Sequence, residues 1–276
     1  MLPDPDRVTE ILAEAAAEEI LPRFRDLESH EVSEKESGEL VTVADVAAER
    51  QISRRLLDLL PGSMVVGEEA VAEDLAVMDA LQGKTPVWVI DPIDGTGNFA
   101  AGRNVFAVMA ALVRNGQILG AWIHDPLRQR TGVAQAGEGA FLDGWRLQAA
   151  IGTPIHALTG TLHAGMFATP EMSKLIQVRR EDVRTVKSLR CAGQEYLRLA
   201  AGQLHFSLFT KLMPWDHAPG VLIHREAGGL ERTLDGKAYD PARRGAPALL
   251  IAPDEASWQA LFQSLFGGTR FAELAR

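Results

Sequence analysis

The stretch Val87-Trp-Val-Ile-Asp91-Pro-Ile-Asp94-Gly-Thr96-Gly-Asn-Phe99 runs a block of apolar β-formers into two carboxylates three positions apart. A buried strand that ends at Asp91 and turns through Pro92 fixes both carboxylates at a strand end. A hard cation, which takes oxygen ligands in set directions, suits that arrangement. The Ile93 carbonyl between them is a further oxygen donor. Gly95 permits a sharp turn, after which the N–H groups of Gly95 and Thr96 could receive a phosphate. Taken alone, the same letters also spell an ordinary Asp-capped turn.

Three other segments carry acids near an element boundary: Leu40-Val-Thr-Val-Ala-Asp45, Gly67-Glu68-Glu69, and Pro214-Trp-Asp216-His-Ala-Pro-Gly-Val-Leu-Ile-His-Arg-Glu-Ala-Gly-Gly229. Each has a plainer reading. Thr42 and Asp45 form a capping box, Glu68 and Glu69 a solvated pair after a strand, and Asp216 a helix N-cap. In this order, and with the Asp91–Thr96 segment between them, the four resemble the signature of the inositol monophosphatase family over about residues 35 to 230. That group is itself similar to fructose-1,6-bisphosphatase and the 3′-phosphoadenosine 5′-phosphate phosphatases.

The resemblance implies that Glu68, Asp91 and the Ile93 carbonyl hold one Mg²⁺, and that Asp91, Asp94 and Asp216 hold a second, with Asp91 bridging. A third, weaker ion would sit near Glu68. Gly95 and Thr96 N–H groups would receive the phosphate, and the Thr96 hydroxyl, paired with Asp45, would orient the attacking water. Glu68 is chosen over Glu69 as the first acid after the glycine. Lys35 falls where the family often places a lysine near the site; a solvated surface lysine is the other reading. Charge supports several ions: Glu68, Asp91, Asp94 and Asp216 sum to −4, against +6 for three Mg²⁺ and about −2 for a phosphate monoester.

Two positions depart from the inositol-specific pattern. Those members carry a Glu six residues before the Trp-Asp pair, where it contacts ring hydroxyls; here the position is Phe209. Arg190, two residues before Ala192 at the substrate pocket, replaces a small residue. Its guanidinium could bind a second phosphate or a carboxylate, or point to solvent.

The rest of the chain must position these groups. Lys and Arg number 28 and Asp and Glu 37, a net charge of −9, which argues against a nucleic-acid coat or a polybasic membrane binder. Cys191 is the only cysteine, so no disulfide framework or zinc cluster is expected. The start lacks a signal-peptide pattern, and the longest uncharged apolar run, Val105 to Val113, is half a membrane span. A cytoplasmic setting is expected.

Val8, Ile11, Leu12 and Ala15 predict an amphipathic helix over Asp6–Asp26. His30–Glu39 reads as a mobile surface loop. A second helix buries Val46, Ile52, Leu56 and Leu59 and stops at Pro61–Gly62. Strand runs follow at Met64–Val66, Val87–Ile90, Val105–Val113, Gln117–His124 and Thr131–Ala134, with a hairpin at Asn115–Gly116, and these predict an antiparallel sheet on the two helices. Gly137–Gly139 reads as a hairpin turn. The last third alternates: strands at Leu162–Phe167, Thr185–Leu189, Leu204–Phe209 and Ala248–Ala252. Helices run through Ala192–Ala200, Asp216–Glu226 and Trp258–Leu265.

The expectation is an α/β fold, the layered α/β/α/β/α sandwich that the family resemblance implies. A sheet-and-helix half (1–150) would carry most metal ligands, and an α/β half (151–276) would carry Asp216 and the substrate-pocket residues. The expected activity is Mg²⁺-dependent, lithium-sensitive hydrolysis of a small phosphorylated metabolite, inositol 1-phosphate or a related sugar or polyol phosphate, by a homodimer. Alternative substrates are fructose 1,6-bisphosphate, 3′-phosphoadenosine 5′-phosphate and histidinol phosphate. The rival from another class is a regulatory scaffold in an RNA-processing or transcription complex.

Overall fold

The structure is a computed structural model that describes residues 2–35, 38–163 and 168–274. Asp4 opens α1 (Pro5–Ala15) by accepting the Asp6 N–H at 3.0 Å. The helix buries Val8, Ile11, Leu12 and Ala15, as its spacing predicts. It does not run on as one helix to Asp26. The chain passes through a π turn (Ala16–Ile20) and a 3₁₀ turn (Leu21–Arg23), where Pro22 has no N–H to extend the α ladder.

The segment expected as a mobile loop is partly a hairpin. Strand β1 (Val32–Glu34) pairs antiparallel with β2 (Leu40–Thr42). Thr42 then caps α2 (Val43–Leu59) in the predicted box, its N–H donating to Asp45 Oδ2 at 2.8 Å. The inward stripe of α2 is Ala44, Ala48, Ile52 and Leu56, four residues apart. Val46 lies about 200° around the helix from Ala44 and is 38% exposed, contrary to expectation, while Leu59 is half-buried.

Seven strands form the first sheet in the order β3 (Met64–Gly67), β4 (Val87–Asp94), β5 (Ala107–Arg114), β6 (Gln117–Asp125), β7 (Arg130–Gln135), β8 (Gly139–Leu142) and β9 (Trp145–Arg146). The sheet is not wholly antiparallel. β3 and β4 are parallel, because α3 (Glu68–Glu73) and a 3₁₀ run to Gln82 form a crossover between them. Asn115 and Gly116 take φ of 52° and 71° in the predicted hairpin between β5 and β6. Every residue of β4 is buried: Trp88 and Ile90 pack with α1 and α2, Val87 and Val89 with the opposite layer. Burial on both faces is why this strand reads as an unbroken apolar run.

After the short α4 (Thr96–Ala100) and this sheet, the chain builds a second, five-stranded sheet. Its order is β11 (Arg184–Thr185), β10 (Thr159–Leu162), β12 (Phe206–Phe209), β14 (Leu249–Ala252), β13 (Leu230–Thr233). β10 is parallel to β11 and β12; β14 runs against β12 and β13. β10 ends at Leu162, earlier than expected, and 164–167 lie outside the described residues. Helices α5 (Pro170–Arg179) and α8 (Glu255–Phe266) cover the outer face, where Phe206, Leu208, Leu250 and Trp258 meet. Helices α6 (Ala192–Ala200) and α7 (Pro214–Glu226) fill the space between the sheets, packing Tyr196, Leu199, Val221 and Leu222 with Met109, Phe209 and Ile251. The layers are therefore helix, sheet, helix, sheet, helix, as expected. No helix among the described residues is long and apolar enough to cross a membrane.

Candidate active site

The ends of β4, α3, α6 and α7 converge on a cavity of about 590 Å³, lined by Glu68, Asp91, Ile93, Asp94, Gly95, Thr96, Arg190, Ala192, Phe209 and Asp216 among others. At its floor Asp91, Asp94 and Asp216 each present a carboxylate oxygen, all within 4.8 Å of one another. Asp91 lies within the buried β4, which runs on to Asp94 through an irregularity in its pairing with β5 instead of ending at Asp91, and Asp216 comes from the first turn of α7.

Asp91 is 1% exposed, and its Oδ1 has no hydrogen-bond partner. Burial, then the charges of Glu68, Asp94 and Asp216, hold its pKa well above the usual carboxylate range. Burial and Glu68 raise Asp216 in the same way, against the pull of Lys211. Asp94 is raised by burial, but Cys191 Sγ (2.9 Å), Gly193 N–H (2.6 Å) and Ala192 N–H (3.0 Å) donate to it and oppose the shift. It thereby ties β4 to the start of α6. Three acids in such contact cannot all ionise without a counter-charge. An all-oxygen donor set with one buried, unpartnered carboxylate oxygen fits a hard divalent cation such as Mg²⁺.

Glu68 stands apart from the trio and meets Lys35. The Lys35 ammonium donates to Glu68 Oε1 and Glu69 Oε1, both at 2.8 Å. Burial pulls its pKa down, but the two carboxylates outweigh this and raise it. Lys35 is thus not a solvated lysine, and it reaches the cavity only through these acids. These contacts tie the end of β1 to the start of α3.

Glu49 was not singled out by sequence reasoning. It lies four residues after Asp45 on the inward stripe of α2, and a charge on a buried stripe is the signal that could have marked it. Its carboxylate accepts the N–H groups of Glu69 (2.8 Å) and Ala70 (2.9 Å), capping α3 and so setting where Glu68 starts. Burial raises its pKa to about 7. Gly67 is required here, since a Cβ would lie 2.3 Å from that carboxyl group.

Thr96 Oγ1 lies 3.2 Å from Asp45 Oδ1 and 2.9 Å from the Ile93 carbonyl. Asp45 serves both of its readings: it closes the Thr42 capping box and reaches Thr96. Burial raises its pKa to about 7. Gly95 has φ of +88°, and a Cβ there would meet Cys191, the Val105 carbonyl and the Arg190 carbonyl at 3.2–3.3 Å. The N–H groups of Gly95 and Thr96 stand at the start of α4, ahead of any acceptor within that helix.

Across the cavity, Phe209 stacks on Tyr196 and on His163, with centroids 5.3 and 4.6 Å apart. Arg190, at φ of 55°, is exposed on the same wall. His217 packs rather than ligates: Tyr196 OH donates to its Nδ1 (2.9 Å), its Nε2–H donates to the Lys211 carbonyl (2.7 Å), and burial lowers its pKa to about 3. A second cavity, of about 750 Å³ between α1 and β6–β7, brings no three metal-ligating groups together among the described residues.

A scan against known families matches residues 4–264 to the inositol monophosphatase family. Among similar proteins, an inositol-1-monophosphatase of Mesorhizobium japonicum is 32% identical over 255 residues, 88% of each chain. The Nus factor SuhB of Pseudomonas aeruginosa is 34% identical over 231 residues, 81% of this chain and 83% of that one. Among solved structures, an inositol monophosphatase of Thermotoga maritima superposes with a TM-score of 0.78 at 24% identity, covering 94% of this chain and 95% of that one.

Proposed function

The chain belongs to the inositol monophosphatase family and is a phosphoric monoester hydrolase, and on that premise we propose that it cleaves small sugar or polyol phosphates with Mg²⁺ in the cavity at the end of β4. The convergence of Asp91, Asp94 and Asp216, with Asp91 Oδ1 left unpartnered, carries this reading. Those three carboxylates, the Ile93 carbonyl and Glu68 would hold two to three ions. When bound, Mg²⁺ supplies the positive charge that activates a water and offsets charge on the transferring phosphoryl group.

The chain's own groups do the rest. The Thr96 hydroxyl donates a hydrogen bond to Asp45 or the Ile93 carbonyl, which leaves an Oγ1 lone pair to accept from a water. That contact fixes the water's direction of approach. Gly95 and Thr96 N–H groups donate to the phosphate oxygens without reorganising, because the +88° turn already aims them. Lys35 holds the Glu68 and Glu69 carboxylates in place. Lithium inhibition, a homodimer and a cytoplasmic setting belong to the same reading. A purely non-enzymatic scaffold role would have no use for the acidic trio.

Selectivity follows from Phe209. A phenyl ring accepts no hydrogen bond from a ring hydroxyl, and a lost acceptor removes roughly 1–3 kcal/mol of discrimination. Inositol 1-phosphate is therefore expected to be hydrolysed with kcat/KM within about tenfold of glycerol 2-phosphate. A kcat/KM panel of phosphate release, run on wild type and Phe209→Glu, checks this. A wild-type preference for inositol 1-phosphate above about a hundredfold would contradict it, as would no gain in that preference from Phe209→Glu.

A further inference from the structure

One wall of the active-site cavity is a column of rings. Tyr196 and Phe209 lie within 15° of parallel with centroids 5.3 Å apart, and Phe209 and His163 within 27° at 4.6 Å. Tyr196 and His163 make no ring contact with each other among the described residues, so Phe209 lies between them. Tyr196 is fully buried and Phe209 is 4% exposed, whereas the His163 side chain is 24% exposed and lines the cavity. The column therefore ends at the cavity in the imidazole of His163.

Glu195, on α6, fixes that ring. It is fully buried, and its carboxylate accepts from His163 Nε2–H (2.8 Å), Thr161 Oγ1 (2.8 Å), Ser188 Oγ (2.7 Å) and the Leu189 N–H (2.8 Å). Burial pushes its pKa up, but the bonds from His163, Ser188 and Thr161 outweigh that and hold it below the usual range. An ionised carboxylate only accepts, so Nε2 carries a proton whether or not Nδ1 does. With one face on Phe209 and the Nε2 edge on Glu195, the opposite face and the Nδ1 edge are what remain to meet a ligand. The ring is held before any ligand arrives, which lowers the cost of binding against it.

We infer that the outward face of His163 is a stacking platform for a flat aromatic ring on the alcohol portion of the phosphate ester. Offset-stacked rings attract one another beyond the area that they bury. Stacking uses the face of the imidazole, so it holds in either protonation state of Nδ1. A puckered ring meets a flat face with fewer atoms at contact distance and gains less. Leu40 and Leu162 line the same cavity, and its volume of about 590 Å³ leaves room for a ring beyond the phosphoryl group. Such an ester can still be a sugar phosphate, with the aromatic ring borne by the sugar. His163 is then a specificity-determining residue.

This inference rests on the phosphatase reading, and a matched pair of esters separates the two. 2-Phenylethyl phosphate and 2-cyclohexylethyl phosphate share a leaving-group chain and differ in a flat against a puckered ring. With Mg²⁺ present, wild type is expected to favour the phenyl ester in kcat/KM by about threefold or more, although the cyclohexyl group is the more apolar. His163→Gln keeps an N–H donor for Glu195 but has no ring face. Its ratio should fall to near one, through KM for the phenyl ester. His163→Phe keeps the face without the donor and should retain most of the preference. A wild-type ratio below about threefold overturns the inference. So does an unchanged ratio in His163→Gln, or an equal loss of it in both variants, which would make His163 purely structural. Hydrolysis of glycerol 2-phosphate but of neither ring ester by wild type also overturns it. Release from none of the three would instead contradict the phosphatase reading.

Discussion

Asp91→Asn is expected to reduce Mg²⁺-dependent phosphate release by more than about a thousandfold, roughly 4 kcal/mol of transition-state stabilisation, while making the metal-free protein more stable. The opposed signs come from one cause. Asp91 is buried among acids with an oxygen that nothing in the chain satisfies. Without a cation the carboxylate costs stability, either as an unpaired charge or as a proton bound above its ordinary pKa. The amide keeps the volume, removes the charge and lessens repulsion with Asp94 and Asp216. With a cation, the same carboxylate is one of three converging anionic oxygen donors, and an amide oxygen replaces it poorly. Steady-state phosphate release at saturating Mg²⁺ and thermal melting in chelator check the two halves. Release within tenfold of wild type, or a lower melting temperature for the metal-free variant, would contradict the role given to Asp91.

The metal-free protein is expected to lose stability as pH rises from about 6.5 to 8.5, and Mg²⁺ to suppress most of that loss. The buried carboxylates set the sign. Asp45 and Glu49 are raised to about 7 from 3.8 and 4.5, and Asp91, Asp94 and Asp216 shift the same way. Above pH 6.5 the unfolded chain has already released these protons and the folded chain has not, so raising the pH favours unfolding. Three buried histidines with lowered pKa, His124, His217 and His224, act oppositely, but mostly below their ordinary 6.5. At about 1.4 kcal/mol per unit of pKa shift, the net loss is on the order of 1–4 kcal/mol, or several degrees in Tm. Cation binding takes the place of the protons at the trio and should flatten the profile. Melting curves at pH 6.5 and 8.5, with chelator and with Mg²⁺, measure it. A metal-free Tm that rises over this range, or equal slopes with and without Mg²⁺, would contradict the account.

The parts of the site legible in the sequence are those carried by local pattern. The β4 run into Asp91 and Asp94 announces itself, because a strand buried on both faces must be continuously apolar and its end must then be the place where acids appear. Asp45 and Asp216 lie in the first turns of α2 and α7; Asp45 closes a capping box there, whereas Met213 holds the N-cap position of α7 and no side chain caps it, contrary to the N-cap reading of Asp216. The Asn115–Gly116 turn and the inward stripe of α1 follow from backbone and helix geometry alone.

What stayed hidden depends on partners far along the chain. Glu49 looks like one more helix acid until Gly67 brings α3 against it. Lys35 could be read either as a site residue or as a solvated lysine until Glu68 and Glu69, more than thirty residues on, are seen to take its ammonium. Glu195 of α6 and His163 meet at 2.8 Å although they are 32 residues apart, with no spacing that couples them. The parallel pairing of β3 with β4 needs the crossover to be recognised, and strands as short as β9 and β11, at two residues each, carry too little periodicity to be read.

The central claim, that the acidic trio at the end of β4 is a divalent-cation centre for phosphate-ester hydrolysis, is tested most directly by returning Mg²⁺ to metal-stripped wild-type protein. The readout is phosphate release from inositol 1-phosphate and glycerol 2-phosphate. The account predicts no release above background in chelator, and a saturable recovery with Mg²⁺ on at least one of these esters that Asp91→Asn does not share. Undiminished release without metal, or none from either ester at saturating Mg²⁺, would contradict it.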